Sequence, residues 1–93
     1  MTDENELIIR RAVFGEQVHQ FLNSDIGKYM ITRAKYELEE GLRALRAVDP
    51  TDSKAVMRFQ NKVWVAESVQ NWLTDAVQDG LSAMGILEER EEE

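Results

Sequence analysis

The sequence predicts an all-α fold in one domain: a short N-terminal helix followed by a long antiparallel helical hairpin, three helices in all. Three observations carry this. The single proline, Pro50, lies in Val48-Asp49-Pro50-Thr51-Asp52-Ser53 and separates two long segments with helical apolar periodicity. A second punctuation mark, Asn23-Ser24-Asp25, divides the first of those segments. Short polar side chains of this kind bond the local backbone and favour caps over helix interiors. No stretch shows sustained apolar/polar alternation or a hairpin turn signal, so strands are not expected.

Helix 1 is expected over residues 4–22, with Leu7, Phe14, Val18, Phe21 and Leu22 at helical spacing as its packing face. Helix 2 is expected over 25–47. Ile31, Leu38 and Leu45 form one of its rows; Gly27, Ala34, Gly41 and Val48 form the other. Small residues in that second row let a neighbouring helix approach closely, at some cost in helix propensity for the glycines. The helix ends near Ala47, since the residue before a proline avoids the α region.

Helix 3 is expected over 51–84. Asp49 is its expected N-cap, with Pro50 at the first helical position, where a missing N–H costs nothing, and Asp52 two residues on. So short a link makes helices 2 and 3 antiparallel. Helix 3 keeps a heptad, with Val56, Val63, Gln70, Val77 and Met84 in one row and Phe59, Ala66, Leu73 and Gly80 in the other. Such a seam suits packing on an antiparallel neighbour. Asp79-Gly80 is a point where helix 3 could end early, and Gly85 is the expected C-cap. The domain then spans 1–87, and the charged segment 88–93 is expected to fray. Val65, Val69, Trp72 and Ala76 widen the apolar arc beyond what one partner covers. Helix 3 is therefore expected to touch two helices, the second being helix 1 of the same chain or of a neighbouring subunit.

Composition bounds the function. At 93 residues, 43% of them hydrophobic, the chain is one domain that buries only roughly 60–65% of its unfolded surface. It contains no cysteine, so neither a disulfide nor a thiolate metal site supplements the core. Self-association is the remaining route to extra stability. The start is acidic, unlike a signal peptide, and the longest apolar run is Val63-Trp64-Val65-Ala66, far short of a membrane span. A cytoplasmic protein with no membrane partner is expected. Net charge is −7, with residues 8–62 at +3 and residues 63–93 at −7. An acidic total argues against non-specific binding of duplex nucleic acid, which rests on neutralising phosphates.

Several residues stand out. Trp64 lies on the otherwise polar side of helix 3, either lying across its neighbours or serving as an oligomer contact, for which tryptophan is well suited. Phe14 and Trp72 are further candidates for a subunit interface. Tyr29, Arg33, Tyr36 and Arg43 follow helical spacing on the outer side of helix 2, with Lys28 and Lys35 beside them. Helix 1 could cover the tyrosines. Alternatively Lys28, Tyr29, Arg33 and Tyr36 are a recognition stripe in which rings stack on a planar ligand and cations hold phosphates. Arg43, Arg46, Lys54, Arg58 and Lys62 gather at the turn of the hairpin and the acidic tail at its open end, so antiparallel subunits could set a basic end against an acidic one. No catalytic residues are expected. Ser24, Ser53, Ser68 and Ser82 have no partnering pattern with His19, the one histidine. Glu16-x-x-His19 matches half of a di-iron motif, but that chemistry needs two such motifs and two further carboxylates. No metal, cofactor or enzymatic activity is expected.

Ser24-Asp25-Ile26-Gly27-Lys28-Tyr29, Val48-Asp49-Pro50-Thr51-Asp52 and Gln60-Asn61-Lys62-Val63-Trp64-Val65-Ala66-Glu67-Ser68 resemble the small helical proteins of unassigned function from tailed phages. The layout of a first helix before a hairpin is also similar to the phage hairpin proteins that sequester cyclic-nucleotide signals. That resemblance implies an oligomer binding its ligand between subunits, with Lys28, Tyr29 and Arg33 as the residues to suspect, in the cytoplasm of a host cell. The leading expectation is a non-enzymatic homo-oligomer, a phage accessory protein acting by binding or sequestration, that binds a protein partner such as a host protein. The alternatives are a sponge for a cyclic nucleotide or similar phosphorylated ligand at a subunit interface, and an acidic mimic that inhibits a nucleic-acid-binding protein.

Overall fold

The computed structural model describes residues 2–92, with side chains over 3–91. The chain is all-α, with α1 over Thr2–Asn23, α2 over Asp25–Ala47 and α3 over Ser53–Glu92. Forty residues of α3 at about 1.5 Å of rise each account for the molecule's long dimension of 61 Å. Both α1 and α2 pack on α3 and run antiparallel to it, α2 along its first half and α1 along its second.

One residue, Ser24, breaks the first arm of the hairpin. Its backbone is extended, and its hydroxyl accepts the Gly27 N–H at 3.0 Å as an N-cap. It also donates to the Phe21 carbonyl at the end of α1. Gly27 is required here: a Cβ on it would lie 1.7 Å from the Phe21 oxygen. The small-residue row of α2 therefore serves two purposes. Gly27 clears the end of α1, and Gly41 clears Val63 of α3, whose methyl would sit 2.8 Å from a Cβ. Because the break is a single residue, α1 cannot fold back beside α2. It continues past α2 along α3, and the flank holding Val65 and Trp72 stays exposed.

The turn after α2 corrects the expected cap. Asp49 accepts the Thr51 N–H at 2.9 Å, and the Asp52 N–H bonds the Asp49 carbonyl at 3.0 Å. This is a β-turn with Pro50 at its second position, where its fixed φ is favourable. The N-cap of α3 is Asp52, whose carboxylate accepts the Ala55 N–H at 3.1 Å. A proline so placed shapes the turn before the helix instead of opening it.

At its other end α3 passes through both glycines expected to weaken it. Gly80 faces Gly15 of α1; a Cβ on Gly80 would lie 2.7 Å from the Gly15 Cα. It marks a close crossing of two backbones and not a break. Gly85 is inside the helix, not its C-cap, and α3 continues through the expected tail to Glu92. There Arg90 bonds Glu4 at 3.1 Å and also Asn5, tying the end of α3 to the start of α1.

The packing face of α1 is as expected at its end, where Val18 is buried and Phe21 and Leu22 are half-buried, and differs before it. Ile8, Ala12, Gly15 and Val18 face α3, while Leu7 and Phe14 point outward at 59% and 58% exposure. The apolar core among the described residues is accordingly slight: Ile8, Ala12, Val18, Ala55, Ala66 and Ala83, with no large side chain fully buried.

Candidate functional site

A hairpin only two helices thick leaves grooves on both sides of its seam. On one side, α2 and α3 frame a groove of ≈510 Å³ with an apolar floor that includes Met30, Ala34, Val65 and Val69. Tyr29 and Arg33 of the expected stripe line it, joined by Arg58 and Lys62 of α3. These last two were expected only as members of a basic cluster at the turn. They reach this groove because the antiparallel register sets Lys62 opposite Glu37, with Nζ 2.9 Å from the carboxylate. Glu37 also receives Arg33 at 2.8 Å, one turn earlier on α2. The hydrogen bond from Lys62, aided by both positive charges, holds the Glu37 carboxyl below the ordinary range. The cations of this groove therefore arrive partly neutralised.

The remaining stripe residues are divided. Lys28 lines a groove on the opposite side of the seam, with Ile31, Lys35, Gln70 and Thr74. Tyr36 stays outside both grooves, with the Arg33 guanidinium 5.9 Å from its ring centre. α1 covers neither tyrosine; Tyr29 is 67% exposed. Trp64 and Trp72 are similarly exposed, and together with Phe14 they line none of the grooves described.

A third and larger groove, ≈880 Å³, lies between α1 and the second half of α3. Ile9, Val13, Leu81 and Met84 form its apolar walls, with Glu16 and Glu88 at its rim. The sequence carries a faint sign of it, Ile9 and Val13 one turn apart on the side away from Ile8. Leu7-Ile8-Ile9 surround the helix with apolar side chains, however, which hides the packed face from periodicity. Between the same two helices, Arg11 clasps Asp79 with Nε and Nη2 at 2.8–3.1 Å, a paired geometry that holds the Asp79 carboxyl below its usual range.

His19 bonds within its own helix. It is exposed and lies 3.3 Å from the Asn23 amide, while Glu16 accepts from Gln20. Among the described residues no group of three metal-ligating side chains occurs, and no helix is long and apolar enough to cross a membrane. No protein-family model, curated protein or solved structure matches the chain.

Proposed function

We propose that the chain is a non-enzymatic interaction protein that works as a homo-oligomer and acts by binding. One observation carries this reading: the folded chain exposes too much surface for its size. Its accessible area is 7258 Å², whereas a compact monomer of this mass exposes roughly 5,500 Å². Its radius of gyration is 18.7 Å, against about 12 Å for a compact domain of the same length. The excess, on the order of 1,700 Å² per chain, exceeds the ~800 Å² each partner gives to a standard stable interface. Much of it is apolar: Ile9, Phe14, Tyr29, Trp64, Trp72 and Leu81 are all exposed.

Light scattering tests the reading. A mass of at least two chains of 10.7 kDa is expected at micromolar concentration. A mass of one chain throughout the accessible concentration range sinks it.

A second reading has its own support in the α2/α3 groove. Tyr29, Arg33, Arg58 and Lys62 around an apolar floor suit a planar ligand bearing phosphates. The counterweight is Glu37, which already pairs two of the three cations. A thermal shift with cyclic di- and trinucleotides tests it, because a ligand bound only by the folded state raises the melting temperature by mass action. No shift at ligand levels well above micromolar removes this reading and leaves the first intact.

A further inference from the structure

We infer that two copies of the chain pack antiparallel through one continuous face, with the acidic α1/α3 groove of each set against the basic α2 stripe of the other. The inference rests on the self-association proposed above and adds the face and the orientation.

Continuity of the face follows from spacing. Gln70 and Thr74 line the groove beside Lys28 and Lys35, while Val77, Leu81, Met84 and Glu88 line the groove beside α1. These six α3 residues recur at steps of four, three, four, three and four, which keeps them on one stripe of an α-helix. The two grooves are therefore one face running the length of the hairpin. On α2 the same side carries Lys28, Thr32, Lys35, Glu39, Leu42 and Arg46 at equivalent steps, all exposed.

Charge sets the orientation. Residues 28–68, which make the turn half, carry eight bases and six acids, a net +2. The rest of the chain, the open half, carries three bases and twelve acids, a net −9. Two copies aligned in parallel set −9 against −9 in the half where the apolar groove lies. Antiparallel copies set each acidic half on a basic one. Apolar walls supply the attraction and charge selects the direction, since like charges across an interface cost several kcal/mol. Lys35 and Arg46 are the cations placed to meet Glu16 and Glu88. Among the described residues none of these four makes an ion pair in its own chain, so their charges are left for a partner.

The absence of cysteine makes the test direct. Single spin labels are placed at Thr51→Cys, by the turn, or at Glu89→Cys, by the open end. Antiparallel packing gives a same-site distance between copies approaching the 61 Å length of the molecule for each label. A mixture of the two labelled chains adds a distance much shorter than that. A same-site distance well under half of that length, in an assembly that light scattering shows to be oligomeric, overturns the orientation and leaves self-association standing. A monomeric mass overturns both.

Charge exchange gives a second readout. Glu16→Lys/Glu88→Lys and Lys35→Glu/Arg46→Glu each weaken self-association about tenfold or more, and a mixture of the two regains it. Full association of each variant alone overturns the pairing of these charges. Far-ultraviolet circular dichroism of each variant at wild-type helix content separates lost assembly from lost folding.

Discussion

Five glycines in one small helical chain have sharply different surroundings, and these differences make predictions. Gly15 and Gly80 face each other, and a Cβ on either would come within 2.6–2.7 Å of the other's Cα. Alanine improves intrinsic helix propensity by about 1 kcal/mol, but here the obstructing atoms are backbone and α1 and α3 must move apart. Gly15→Ala or Gly80→Ala should therefore destabilise by about 1–3 kcal/mol, seen as a lower midpoint in urea. Gly85 has nothing within 4 Å of its would-be Cβ. Gly85→Ala should instead stabilise by up to about 1 kcal/mol. The same substitution thus changes sign within five residues of α3. If both variants move the midpoint in the same direction, the close crossing of α1 on α3 is wrong.

Helix boundaries show where sequence reasoning succeeds and where geometry must decide. The break at Ser24 and the end of α2 near Ala47 are legible, because caps and prolines act locally on the backbone. The rows of α2 and the heptad of α3 up to Gly80 are legible too; Ala34, Leu38, Gly41, Leu45, Phe59, Ala66 and Leu73 are all buried or half-buried, whereas Met84, expected in the seam, is exposed. The packing face of α1 is legible at Val18, Phe21 and Leu22 but not before them, because apolar residues surround the first turns and the small residues Ala12 and Gly15 mark where α3 passes. The choice between Asp49 and Asp52 as cap also escapes sequence, since each aspartate can serve and the register of the turn settles which. Asp52→Ala should cost about 1 kcal/mol by removing the bond to the Ala55 N–H. Its effect should fall on α3, and amide exchange at Ala55 and Val56 should speed up. Ser24→Ala should do the same to Gly27 at the start of α2. Unchanged exchange at these amides would show that the side chains do not cap.

At the scale of the whole molecule, three ion pairs join the long helices where the core is thin. Arg11 with Asp79 and Arg90 with Glu4 fasten α1 to α3, and Lys62 with Glu37 fastens α2 to α3. Arg11 depresses the Asp79 carboxyl, and Lys62 with Arg33 depresses that of Glu37. A carboxylate whose folded pKa is lowered contributes stability that is fully present above its unfolded value. That contribution is lost as pH falls through the lower folded value. The ordinary values here are 3.8 for Asp79 and 4.5 for Glu37. The melting temperature should therefore hold steady from neutral pH down to about 5 and decline below that as the two carboxyls protonate. Asp79 is exposed and Glu37 half-buried, so salt should shrink the effect, and more for the Arg11 pair. Asp79→Asn removes one of the two contributions, and the variant's melting temperature should decline less steeply in acid than the parent's. The proposed self-association would add a second dependence, because mass action makes the melting temperature of an oligomer rise with chain concentration. Melting curves over a hundredfold range of concentration separate the two. The acid-sensitive part persists at every concentration if it belongs to the intrachain clasp, and it vanishes on dilution if it belongs to contacts between copies. The intrachain geometry of Arg11 on Asp79 requires the first outcome.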